Sequence, residues 1–107
     1  MRRFGQLIGV KSENLDEYKK YHAAVWPEIN IKISECNISN YSIFYKDGLL
    51  FAYYEYIGND YQADMQKMAD DPKTQEWWRI MKPMQAPLES RAEGEWWSDM
   101  EEVYHLD

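Results

Sequence analysis

The chain offers little with which to do chemistry beyond two histidines, one cysteine and an excess of aromatic rings. His22 is the residue best suited to moving protons, because an imidazole with an ordinary pKa of about 6.5 gives or takes one near neutrality without a metal. Tyr18 lies one helical turn earlier on the same face, so its hydroxyl can bond a ligand that His22 protonates. Each also has a plainer reading, and taken singly the plainer one is the commoner: a core histidine bonded to a carbonyl, and an amphipathic core tyrosine.

The aromatic residues suggest what such a ligand would be. Five Trp and nine Tyr exceed the needs of one small core, and each has a polar tip that must find a partner when buried. Adjacent Trp77 and Trp78 project about 100° apart on a helix, which lets one indole pack inward while the other edges a cavity. A sugar presents C–H faces to such rings and hydroxyls to the polar groups beside them, so Trp, Tyr and His together meet both demands. Tyr41 follows Asn40 at the start of a strand, and alternation alone does not say whether it faces the core or the open side. Trp96 and Trp97, in a stretch feeding the last strand, are candidates for a second aromatic wall or a subunit contact, and the position favours the contact. Glu28, Glu101 and Glu102 are available carboxylates, but acidic side chains usually form a solvated face.

Other chemistries find no support. Two distant histidines and the lone Cys36 give no metal-ligand spacing, and there is no GxGxxG, P-loop or nucleophile elbow. The expectation is a site with no metal and no cofactor. With 12 basic and 19 acidic residues the net charge of −7 repels a phosphate backbone, which argues against nucleic acid and anionic membrane surfaces. No apolar run approaches the roughly 18 residues that span a bilayer, and the N-terminal stretch lacks the apolar run of a signal peptide. One cysteine permits no intrachain disulfide, so a reducing, cytoplasmic setting is expected.

The elements that must position these residues follow from periodicity. Phe4 to Val10 predicts a strand with Phe4, Ile8 and Val10 on one face and Leu7 with two glycines on the other. Ser12 is the expected N-cap of a helix whose stripe runs through Leu15, Tyr18, His22, Val25, Ile29 and Ile33, divided at Pro27. Ile38 to Tyr45 and Leu49 to Ile57 predict a hairpin turned at Asp47-Gly48. Asn59 or Asp60 caps a helix with Tyr61, Met65 and Met68 on one face, and Asp71-Pro72 opens another that bears Trp77 and Trp78. Pro83 to Glu95 reads as a surface excursion, and Met100 to Leu106 as a last strand. The order βα, ββ, αα, β is the split βαβ plan of a ferredoxin-like α+β domain occupying residues 1–107, with helices on one face of an antiparallel sheet. The other face needs a cover, and a second subunit or a ligand is the simplest one.

Tyr18 and His22, then Trp26-Pro27-Glu28, Asn40-Tyr41, Trp77-Trp78 and a terminal Glu102-Val103, occur in an order and spacing that resembles the L-rhamnose mutarotase family over essentially the whole chain. The resemblance implies a homodimeric ferredoxin-like α/β-barrel, an isomerase that interconverts the α and β anomers of a 6-deoxy-L-sugar without a cofactor. Position by position it makes His22 the proton donor and Tyr18, Tyr41, Trp77 and Trp78 the sugar-binding residues. On that reading His22 donates as an imidazolium to the ring oxygen. Two departures bear on the sugar: the end reads Val103-Tyr104-His105-Leu106 where Val-Phe-Tyr-Leu is expected, and the stretch from Pro83 to Trp97 differs from that of the rhamnose enzymes. A Gly-Glu-Trp-Trp run with a late histidine is similar to proteins called L-fucose mutarotases, so L-rhamnose is the expected sugar and L-fucose its competitor. A cofactor-independent oxygenase and a non-catalytic sugar-binding module are the alternatives on the same fold.

Overall fold

Strand β1 (Arg2–Val10) is the one on which the sheet is assembled in the computed structural model, which describes residues 1–107. Strand β3 (Leu49–Tyr56) pairs along one edge of β1, from Arg2 opposite Tyr56 to Gly9 opposite Leu49. Strand β2 (Ile38–Lys46) adds outside β3. The other edge of β1 is divided between β4 (Gln85–Ala86), paired with Gly9 and Val10, and β5 (Ser98–Met100), paired with Gly5 to Leu7. All pairings are antiparallel. Gly9 is required here by close approach: a Cβ on it would lie 2.7 Å from the Ala86 carbonyl oxygen.

Four helices, α1 (Leu15–Ala23), α2 (Pro27–Glu35), α3 (Tyr61–Asp70) and α4 (Pro72–Met81), accompany the sheet. Pro27 divides the stripe as expected: it is the first residue of α2, and Trp26 before it is extended, as the ring of a following proline requires. Asp60 caps α3 by accepting from the Ala63 amide, and Asp71 caps α4 by accepting from the Thr74 amide at 2.9 Å. Ser12 is not the cap of α1. A single 3-10 turn over Ser12–Asn14 precedes that helix, and the Ser12 hydroxyl is turned toward the Glu13 carboxylate.

Alternation then sorts the two faces. Ile8 and Val10 of β1, Leu50 of β3, Ile29 of α2 and Met81 of α4 are buried together with Tyr18 and Trp77. Ile38, Tyr54 and Tyr56 form a second cluster closed by Met65 and Met68 of α3. Removing the fully buried Ile8 side chain down to alanine should cost about 2–5 kcal/mol.

Strand β2 breaks its own alternation. Its register with β3 slips between Ser39 and Ser42, so Asn40 and Tyr41 lie where one residue would suffice, and Asn40 takes a left-handed φ of 51°. Ile38 faces the helices before this bulge; Tyr41, Ile43 and Tyr45 face them after it. Asn40 Nδ2 donates to Glu55 Oε1 at 2.7 Å on the outer face and holds the bulge in place. The β2–β3 turn is as expected, with Asp47 and Gly48 both left-handed at 50° and 83°.

Two expectations at the C-terminal end are corrected. Met84 and Gln85 inside the predicted surface excursion are buried, because β4 docks on the free edge of β1. The predicted strand from Met100 to Leu106 is really Ser98–Met100, and residues 101–107 carry no secondary structure. Partners for a strand exist only opposite Gly5 to Leu7. Because both variants lose the bond to Glu55 but only valine is strained in the left-handed region, Asn40→Val should lower stability by about 1–2 kcal/mol more than Asn40→Gly. Urea unfolding of the two variants measures this, and equal losses would remove the bulge from the account.

Candidate active site

Between the helices and the sheet lies a cavity of about 530 Å³ onto which α1, α4, β2, β3 and the Gln85–Trp97 region all contribute side chains. Its walls are mainly apolar, with a few polar groups gathered at one end, the usual composition of a small-molecule site. No carboxylate lines it, and no three His, Cys, Asp or Glu side chains cluster anywhere as metal ligands would. A larger hollow of about 620 Å³ between α2 and α3 is shallow and open, and its lysines are paired with acids. It has no convergent groups.

Helix α1 places Tyr18 and His22 one turn apart, and the rings stack with centroids 4.3 Å apart. His22 Nδ1 lies 2.9 Å from the Tyr18 backbone oxygen. A carbonyl only accepts, so Nδ1 carries the hydrogen and Nε2 is the nitrogen with a free lone pair. Burial lowers the His22 pKa below its ordinary value, opposed in part by that bond to Tyr18. Burial thus favours the neutral imidazole over the charged one. Half-buried beside two aromatic rings and with no carboxylate in the cavity lining, the ring has no acidic partner to favour the expected imidazolium.

Tyr18 is only 3 % exposed. Its hydroxyl oxygen accepts from Gln85 Nε2 at 3.1 Å, and Gln85 Oε1 in turn accepts from Trp96 Nε1 at 2.7 Å. Burial raises the Tyr18 pKa, with the Gln85 bond opposing it, so the phenol keeps its proton. The bulge in β2 aims Tyr41 toward the same space, its ring tilted against Tyr54 at 5.4 Å. Desolvation, and then the nearness of Tyr18 and Tyr61, push the Tyr41 phenol well above its usual range.

The two indoles of α4 divide as their angular separation predicts. Trp77 is buried, meeting the edges or faces of Tyr21, His22 and Trp26 at 5.0 to 5.9 Å. Trp78 is half-buried on the cavity wall, with Lys82 Nζ 5.5 Å from its ring. All five residues singled out from the sequence, Tyr18, His22, Tyr41, Trp77 and Trp78, line the one cavity.

Trp96 and Trp97 line it as well, where the sequence favoured a subunit contact. Pairing of β5 with β1 returns them to the cavity within a single chain. Gln85 was missed altogether, hidden between Pro83 and Pro87. Its one signal was a polar residue beside Met84 in a segment otherwise read as loop.

The chain matches the family model described as L-rhamnose mutarotase over residues 3–106. It is 40% identical over 100 residues to a UPF0734 protein of Dictyostelium discoideum, covering 89% of this chain and 80% of that one. It is 32% identical over 109 residues to the L-rhamnose mutarotase of Lactiplantibacillus plantarum, covering both chains completely. A crystal structure of an L-rhamnose mutarotase from Formosa agariphila superposes over the whole of both chains with a TM-score of 0.78 at 22% identity, which shows the common fold. The protein is thus a member of the L-rhamnose mutarotase family, a family of isomerases.

Proposed function

We propose that the cavity interconverts the α and β anomers of a 6-deoxy-L-hexose, L-rhamnose foremost, by acid–base catalysis without a cofactor. The observation that carries this reading is His22, whose Nδ1 bond to the Tyr18 carbonyl leaves Nε2 free, set beside two tyrosines in an aromatic cavity. The family match and the names of its relatives supply the sugar.

Mutarotation breaks the bond between C1 and the ring oxygen and remakes it on the other face of the aldehyde. His22 Nε2 takes the proton of the anomeric hydroxyl, the C1–O bond to the ring opens, and C1=O forms. The two oxygens are attached to the same carbon, so the imidazolium so formed can hand that proton to the departing ring oxygen. One proton moves, one bond breaks, and no second acid is needed. Rotation about C1–C2 and the reverse transfers close the ring with the opposite configuration. Tyr18 and Tyr41, which keep their protons, orient hydroxyls by donation, and Trp78 packs on the apolar face and the methyl group. Such help is worth about 10² to 10⁴ in rate, adequate for a reaction that water alone supports.

The open sheet face favours a homodimer. Phe44 and Phe51 are 59 % and 40 % exposed there with rings 6.2 Å apart, and Leu49 and Met100 extend the same patch. A contiguous apolar surface of this kind usually marks an interface. The single, buried Cys36 accords with a cytoplasmic setting.

His22→Ala should slow anomer exchange by about 10²-fold or more, read by saturation-transfer NMR on L-rhamnose and L-fucose in parallel. Wild-type exchange in this variant would exclude the assignment, sugar binding without faster exchange would select a binding module, and oxygen uptake with quinol-like substrates would select an oxygenase.

The depressed His22 pKa fixes the sign of the pH dependence. Catalysis begins from the neutral ring, so the rate should be level above about 6.5 and fall as pH drops through the lower folded-state pKa. Stability falls over the same acid window, because the unfolded chain takes up a proton at His22 before the folded one does. A rate that instead declined on raising the pH through that window would restore the imidazolium donor.

Light scattering at micromolar concentration should give the mass of a dimer, and Phe44→Glu with Phe51→Glu should give a monomer. A monomeric wild type would leave the apolar face without its proposed cover.

A further inference from the structure

The chain Trp96–Gln85–Tyr18 has a direction, and the direction is set by its first member. An indole N–H donates and cannot accept. The 2.7 Å contact from Trp96 Nε1 therefore requires the oxygen of the Gln85 amide at that end, and places its nitrogen at the other. That nitrogen only donates, so at 3.1 Å the Tyr18 hydroxyl oxygen must accept from it. Once the Tyr18 oxygen accepts from Gln85, its own hydrogen is left to point elsewhere. Both residues line the cavity.

We infer that Gln85, clamped by Trp96, is a positioning residue that makes Tyr18 a hydrogen-bond donor toward the sugar and thereby selects which sugar oxygen can sit beside His22. This rests on the cavity being the sugar site. Gln85 is 6 % exposed, and burying an amide at the cavity edge is costly unless its polar atoms are used. Packing alone would be served by methionine, the residue already buried in this core at Met81 and Met84. A hydroxyl held as a donor favours a sugar lone pair and disfavours a sugar hydroxyl hydrogen at the same point, so the amide acts as a selector among epimers.

The test compares Gln85→Glu with Gln85→Met. Glutamate has the same shape and still accepts from Trp96, but it also accepts from Tyr18 and so captures the hydrogen meant for the sugar. Methionine removes the clamp yet leaves Tyr18 free to donate. Polarity therefore predicts that the isosteric variant is the worse one: kcat/KM falls on the order of tenfold in Gln85→Glu, mainly through KM, and only about two- to threefold in Gln85→Met. Acidification that protonates the new carboxyl should restore sugar affinity in Gln85→Glu alone.

The Trp96 indole N–H resonance supplies a readout that needs no sugar. It should stay downfield and slow to exchange in wild type and Gln85→Glu, and move upfield with faster exchange in Gln85→Met. An indole signal indifferent to both substitutions would overturn the clamp, and a loss in Gln85→Met equal to or larger than that in Gln85→Glu would overturn the polarity. If wild type accelerates neither L-rhamnose nor L-fucose, the catalytic reading fails, while the clamp is still decided by the indole signal and the polarity by comparing the affinities of both variants for the two sugars.

Discussion

A hydrogen bond inside α1 sets the terms for everything around it. By donating from Nδ1 to the carbonyl one turn earlier, His22 spends the nitrogen that would otherwise vary and leaves Nε2 as the only reactive atom. The bond closes within a single helical turn, so it survives movements of the rest of the chain. The imidazole is backed by aromatic rings and not by an acid, and burial disfavours its charged form. The remaining architecture brings hydroxyls and apolar walls to an imidazole whose tautomer is already chosen.

Much of this was legible in the residues because the signals were local. A stripe of three- and four-residue gaps gave α1 and α2, a proline gave the break between them, and Asp71-Pro72 gave the start of α4. Asp47-Gly48 gave the hairpin, since two successive left-handed residues leave few other turns available. The five residues singled out converge on one cavity because three of them share the inward side of α1 or α4 with their neighbours, and helical spacing reports that directly.

What was not legible depends on partners far along the chain. Tyr41 could not be assigned to a face because the deciding event is the bulge at Asn40, and an asparagine in the left-handed region looks in sequence like any other asparagine. Gln85–Ala86 is too short to show a period. It is a strand only because Gly9 lets it approach β1, so Gln85 stayed invisible until the sheet edge was known. The place of Trp96 and Trp97 on the cavity wall was hidden for the same reason. The tail beyond Met100 has a strand's composition but no neighbour to pair with, and propensity without a partner produces no strand.

Because β4 and β5 dock side by side on the same edge of β1, the segment from 87 to 97 is pinned at both ends by backbone pairing and arches between them. Its length and side chains can change without altering the register of any strand or the bond within α1, yet its last residues form part of the cavity wall. The Tyr18–His22 stack and the Trp96–Trp97 part of the wall thus sit on separate pieces of chain. A scaffold divided in this way leaves part of the cavity wall on a segment that no strand pairing constrains, while the stacked Tyr18 and His22 stay on a helix.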